Sequence, residues 1–191
     1  MSRWFLILML ACASAQAAPD TAPAADLESA LHQQRLLSQL VEIRQNVSVQ
    51  AHEVVDRTSD LVVTAMGFLG VPYRRGGTSA ETGFDCSGFV RAMYEQSLGL
   101  LLPRRANEQA AATERIDKSD LQPGDLVFFN TMRRAFSHVG IYVGDGKFIH
   151  SPKPGAQVRV EDMRAGYWQT RFDGARRVLA SQFDSANTTT R

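Results

Sequence analysis

The chain has 191 residues, 44% of them hydrophobic and 21% charged, which fits a soluble globular protein with room for one ordinary domain and short extras. A formal net charge of +1 makes no electrostatic case for nucleic acid as a partner. The sequence has no cysteine cluster and no glycine-rich phosphate loop, so no metal and no cofactor is expected.

In chain order, the first segment reads as a targeting signal. "MSRWFLILMLACASAQAAP" carries one early Arg3, an apolar run from Trp4 to Ala13, and the small-residue pattern Ala15-Gln16-Ala17. That pattern predicts a secretory signal peptide over residues 1–17 and export, in the first instance to a periplasm. The apolar run is too short to span a bilayer comfortably, and no transmembrane segment is expected elsewhere. A less favoured alternative takes Met9-Leu10-Ala11-Cys12 as a lipoprotein signal and anchors the protein through a lipid on Cys12. With the signal removed, Cys86 is the one cysteine of the mature chain, which rules out an internal disulfide. An unpaired thiol in an exported protein is either a small buried apolar side chain or a nucleophile.

Residues 18–58 read as a Pro/Ala linker followed by a helical segment. Leu27, Leu31, Leu36, Leu37, Leu40, Val41 and Ile43 recur at helical spacing from Asp26, the expected cap, to about Asp56. A spacer or packing helix is the plain reading; a regulatory partner for residues 26–56 is the other. The compact domain is expected over 59–181, with a polar tail over 182–191. Ser59 or Asp60 would cap a helix through "LVVTAMGFLG", which Gly70 stops. After the loop "VPYRRGGTSAETG", Asp85 would cap a helix running to Leu98, with Phe89, Val90 and Met93 on one face and Gly99 at its end. "LPRRANEQAA" starts a short helix after Pro103. The turn Pro123-Gly124 feeds the strand in "DLVFF", "SHVGIYVGDGKFIHS" is a hairpin, and "DGARRVLA" a last strand. Helices first and an antiparallel sheet second predict an α+β fold.

The chemistry centres on Cys86. A cysteine at a helix N-terminus faces unpaired N–H groups and the positive end of the dipole, which favours the thiolate, the attacking form. Gly88 either lets a substrate come close or serves packing. Of the four histidines, His32 and His52 belong to the N-terminal helical segment, whereas His138 and His150 flank the hairpin. A two-residue turn at Asp145-Gly146 would put these two on opposite faces. A three-residue loop, Gly144-Asp145-Gly146 with Val143 facing Lys147, would put them on one face, with His150 opposite Gly140. The three-residue loop is the expectation, because Gly146 suits its left-handed position.

Taken together, "VPYRRGG", "DCSGFV", "LPR" followed by Gln109, "PGDLVFF" and "SHVGIYVGDGKFIH" resemble the NlpC/P60 family of cell-wall cysteine peptidases, from about Ser59 to Leu179. The resemblance implies a papain-like fold, with a helical part carrying the cysteine packed on a small antiparallel sheet carrying the histidines. It implies Cys86 as nucleophile, His138 as general base, His150 as the group orienting that base, and Tyr73 as an aid to the oxyanion. Asp85 and Ser87 would flank the nucleophile and touch substrate, with a plain helix cap as the alternative for Asp85. Ser137 would line the cleft or start a strand. Arg104 and Gln109 match a motif usually written L-P-R-T-S-x-x-Q, in which Arg105 and Ala106 replace the hydroxyl pair here. The implied substrate is peptidoglycan, cut at a γ-D-glutamyl–diaminopimelate bond or a D-alanyl–diaminopimelate cross-link. The alternatives are a catalytically silent wall-binding adaptor and a thiol acyltransferase on the same scaffold.

Overall fold

The computed structural model describes residues 23–179; the expected leader, Cys12 and the polar tail lie outside the described residues. Residue contacts divide the chain after Val49 into two compact units. Helix α1 (Pro23–Met66) begins in the first and ends in the second. In the first unit Leu31, Leu36, Leu37, Leu40, Val41, Ile43 and Val47 are all exposed. The expected break between two helices is absent. Asp26 falls inside the helix rather than ahead of it, and Ser59 and Asp60 cap nothing at a helix start. The physical reason is that no glycine or proline interrupts the chain between Ala24 and Met66. Each further residue then adds a hydrogen bond without a new nucleation cost.

In the second unit, Leu61 and Ala65 of α1 are buried in a core shared with Phe84, Phe89, Val90, Met93 and the sheet. A small hairpin, β1 (Thr78–Ser79) and β2 (Gly83–Phe84), leads into α2 (Cys86–Leu98). The short helix α3 (Ala106–Ala111) and strand β3 (Glu114–Ile116) follow. Strands β4 (Leu126–Phe129), β5 (His138–Gly144), β6 (Lys147–His150) and β7 (Arg159–Asp162), helix α4 (Gly166–Gln169) and β8 (Phe172–Arg177) complete the unit. The antiparallel sheet has the order β3-β8-β4-β5-β6-β7. The expected α+β arrangement is the one found.

The sheet is covered on both faces. Along β4 the alternation places Leu126 and Phe128 in the core shared with α2, and Val127 and Phe129 in a second cluster with Phe148, Met163 and Trp168. Each such large side chain contributes about 1.5–3 kcal/mol by leaving water. This two-sided burial is why "LVFF" is uniformly apolar rather than alternating. One short contact fixes how α2 enters the core. A Cβ on Gly88 would lie 2.1 Å from the Gly77 carbonyl oxygen, so Gly88 serves packing: the first turn of α2 rests directly on the Gly77 backbone.

The hairpin departs from expectation in its turn and agrees in its register. Gly144 pairs with Lys147 across the two-residue turn Asp145-Gly146, and the ladder shifts between Tyr142 and Gly144. Asp145 and Gly146 have φ of 52° and 71°, the left-handed pair that a tight hairpin turn of this hand requires. Val143 does not face Lys147; it is the extra residue of a bulge. Bulge plus two-residue turn displaces the ladder as a three-residue loop would, so Tyr142 faces Phe148 and Ile141 faces Ile149. The two histidines consequently share a face.

Candidate active site

Helix α2 starts at Cys86 because Asp85 caps it. The Asp85 backbone is extended and its Oδ1 accepts from the Gly88 N–H at 2.7 Å. Its other carboxylate oxygen accepts from the Gly76 N–H at 3.0 Å and from Arg104 Nη2 at 2.6 Å. Arg104 Nη1 donates to Asp85 Oδ1 and to Ser87 Oγ, both at 3.0 Å. Asp85, Ser87 and Arg104 thus form one interlocked cluster that pins the start of α2. Gln109 is fully buried, and its Nε2 donates to the Ser87 and Pro103 carbonyls at 3.0 and 2.9 Å. Through this nitrogen it ties α3 to α2. The resemblance located this residue but could not report that its amide nitrogen is bound to backbone while its Oε1 is buried without a hydrogen-bond partner.

Cys86 lines a cleft of about 690 Å³ with Tyr73, Ser137, His138, Glu161 and Trp168 among the other walls. His138 opens strand β5 and His150 closes β6. His138 Nε2 lies 2.6 Å from His150 Nδ1, with both rings buried. Only His138 Nδ1 is then left to serve the cleft. Ser137 Oγ accepts from the Thr131 and Met132 N–H groups at 2.9 and 3.2 Å, closing the loop ahead of β5 while the residue lines the cleft. Tyr73 is half-buried. Its N–H donates to the Ala156 carbonyl at 2.8 Å, and its backbone bridges to Phe84. One residue missed in the sequence joins the halves of the site: Ser151, beside His150, donates to the Phe84 carbonyl at 2.7 Å, two residues ahead of Cys86.

The electrostatics revise the expected thiolate. Burial, and next the Asp85 carboxylate, push the Cys86 thiol up to about 11; backbone hydrogen bonding from Val139 pulls the other way and loses. Burial, and then His150, hold His138 well below the ordinary histidine range. Burial also lowers His150, against the raising influence of Glu161. The Cys86 and His138 shifts both favour the neutral forms, thiol and imidazole, at neutral pH. The helix N-terminus does not by itself deliver a thiolate.

These shifts set an acid limit on stability. An unfolded histidine takes up a proton below about 6.5, whereas His138 and His150 resist it while folded. Acid therefore favours the unfolded chain, and stability falls as pH drops below that value. Glu161 acts in the same sense at lower pH. The His150 ring and Arg159 hold its carboxyl down to about 2, against about 4.3 for a free glutamate, so its contribution is present above the free value and lost toward about 2. The melting temperature is expected to fall on going from pH 7.5 to 4.5, and to fall less in His150→Asn. A flat profile over that range would contradict the burial of neutral histidines.

Comparisons place this geometry among known proteins. Residues 70–177 match the NlpC/P60 family. The chain is 46% identical over 114 residues to the murein DD-endopeptidase MepH of Escherichia coli (strain K12), covering 58% of this chain and 42% of that protein. It is 34% identical over 178 residues to the murein DD-endopeptidase MepS/murein LD-carboxypeptidase of the same strain, covering 91% and 88%. The crystal structure of the NlpC/p60 domain of the peptidoglycan hydrolase SagA superposes with a TM-score of 0.56 at 34% identity, covering 63% of this chain and 98% of that one. The chain spans only between 30% and 47% of the length of five curated relatives it matches, MepH included. The helical part set against a small antiparallel sheet is the papain-like arrangement of those domains. With the family profile matching more than half of its length, the chain belongs to the NlpC/P60 family.

Proposed function

We propose that this chain is an exported cysteine endopeptidase that hydrolyses amide bonds in peptidoglycan stem peptides. The observation that carries the reading is the buried His138–His150 pair, 2.6 Å between ring nitrogens, of which His138 lines the same cleft as Cys86. Family membership and the names of the relatives supply the substrate class.

The chemistry follows from the protonation states. His138 Nδ1 takes the Cys86 proton as the sulfur attacks the substrate carbonyl carbon. The Cys86 backbone N–H and the Tyr73 hydroxyl stabilise the oxyanion, each worth on the order of 3 kcal/mol in comparable sites. The protonated imidazole then gives its proton to the leaving amine, and the C–N bond breaks to leave a thioester. Water attacks that thioester with its proton passing to His138, the acid product leaves, and the thiol is restored. Burial of His138 helps the donation step, because a strained imidazolium is a strong acid toward the amine.

Of the two candidate bonds, the D-alanyl–diaminopimelate cross-link is favoured. MepS, of which the chain covers 88%, and MepH both carry DD-endopeptidase in their names. A purified cross-linked muropeptide dimer distinguishes the bonds. Hydrolysis to two monomeric stem peptides supports the cross-link. Release of fragments split between glutamate and diaminopimelate moves the assignment to the other bond. An intact dimer and intact monomers after incubation with the folded full chain would overturn the peptidase reading.

A further inference from the structure

The histidine pair does not end at His150. Its Nε2 is buried and without a hydrogen-bond partner within ordinary distance, and it points toward Glu161 Oε2, 3.6 Å away. Glu161 reaches it from β7. The ladder sets His150 opposite Arg159 and Phe148 opposite Glu161, so Glu161 is the diagonal neighbour of His150 on the same sheet face. The carboxylate is itself held from both sides. Arg159 Nε donates to Oε1 at 2.5 Å, and Trp168 Nε1 donates to Oε2. The Trp168 ring also lies against the base: it stacks on His138 at 5.6 Å between centroids and 26° between planes, and meets His150 edge-on at 5.1 Å.

These contacts determine the hydrogens. A carboxylate accepts only, so it favours the His150 tautomer carrying its hydrogen on Nε2. His150 Nδ1 then has a lone pair for the His138 Nε2–H, and His138 is left with its lone pair on Nδ1, toward the cleft. The other His150 tautomer would turn an N–H at His138 Nε2. That would force His138 to carry its hydrogen on Nδ1, where it cannot take a proton from Cys86. We propose that Glu161, clamped by Trp168 and Arg159, is a positioning residue that fixes the tautomers of both histidines and so makes His138 competent as a base. The charged and titratable groups facing His150 are His138 from β5 and Arg159 and Glu161 from β7. This inference rests on the assignment of His138 as the base, but its test needs no peptide substrate.

The test uses the full chain labelled with ¹⁵N-histidine, compared with Glu161→Gln and with Trp168→Phe, which keeps a stacking ring and loses the indole N–H. The first readout is the tautomer of each histidine from ring nitrogen chemical shifts at pH 7.5. The second is the rate of Cys86 alkylation by iodoacetamide across pH. In the wild type both rings are expected to carry hydrogen on Nε2. In Glu161→Gln the tautomers mix and Cys86 alkylation at neutral pH slows roughly 10- to 100-fold, while Glu161→Asp restores part of the rate. Trp168→Phe is expected to fall between them. On a stem-peptide substrate the same loss appears in kcat, with KM little changed. A folded Glu161→Gln protein with wild-type tautomers and an alkylation profile within twofold of wild type would overturn the proposal. So would wild-type histidines carrying their hydrogens on Nδ1. Wild-type tautomers and reactivity as expected, with no hydrolysis of peptidoglycan, would leave this positioning role standing and count against the substrate reading alone.

Discussion

Cys86→Ala is expected to lower stem-peptide hydrolysis by at least about 10⁴-fold, the scale of removing a covalent nucleophile from a site that keeps its oxyanion donors and binding surface. The fold should survive the change. The helix start is held by Asp85, whose carboxylate bonds Gly88, Gly76 and Arg104, and none of those bonds involves the sulfur. Melting temperature and circular dichroism of the variant check this, alongside the rate of product release measured by chromatography of digests. A variant that remains folded and cleaves within tenfold of wild type would remove Cys86 from the reaction.

His138→Ala is expected to cost nearly as much, about 10³- to 10⁴-fold, because the thiol it serves is not pre-ionised. With Cys86 pushed up to about 11, almost no thiolate forms at neutral pH without a base. The loss in His138→Ala should therefore be partly recovered as pH is raised toward that value, where hydroxide replaces the base for the attack step. Recovery stays incomplete, since the leaving amine still lacks its proton donor. The double variant Cys86→Ala/His138→Ala should be no slower than Cys86→Ala alone, as expected for residues that act as a unit. Additive losses, or a His138→Ala profile parallel to wild type at all pH values, would contradict a base that acts on Cys86.

The helix around Cys86 was legible because its signals are local. Asp85 as cap, Phe89, Val90 and Met93 on one face and Gly99 beyond the last turn are all within the same stretch of chain, and no distant contact is needed to read them. The shared face of His138 and His150 was legible for a different reason. Face is set by register, and two different loops give the same register: the turn at Asp145-Gly146 with a bulge at Val143 replaces the three-residue loop without moving the histidines. The sequence "GDG" suits either, since both need left-handed residues at its end.

What could not be read is what other elements bring. The rise in the Cys86 thiol comes from burial and from Asp85; the second is adjacent in sequence, but the first depends on the sheet packed across the helix. Gln109 lies in a recognisable motif, yet only the fold shows its amide bound to the Ser87 and Pro103 carbonyls. Glu161 and Trp168 meet the histidines from β7 and α4, neither of which announces itself in "VRVEDMRAGYWQT". The alternating Arg159 and Glu161 offered a period of two, but not the face on which it would fall.

The central claim, that Cys86 is the nucleophile of a peptidoglycan peptidase, is tested most directly by digesting purified sacculi with equal amounts of wild type and Cys86→Ala and resolving the released muropeptides by mass. The account predicts new stem-peptide products from the wild type and none from the variant. Equal products from both, or none from the folded wild type, would contradict it.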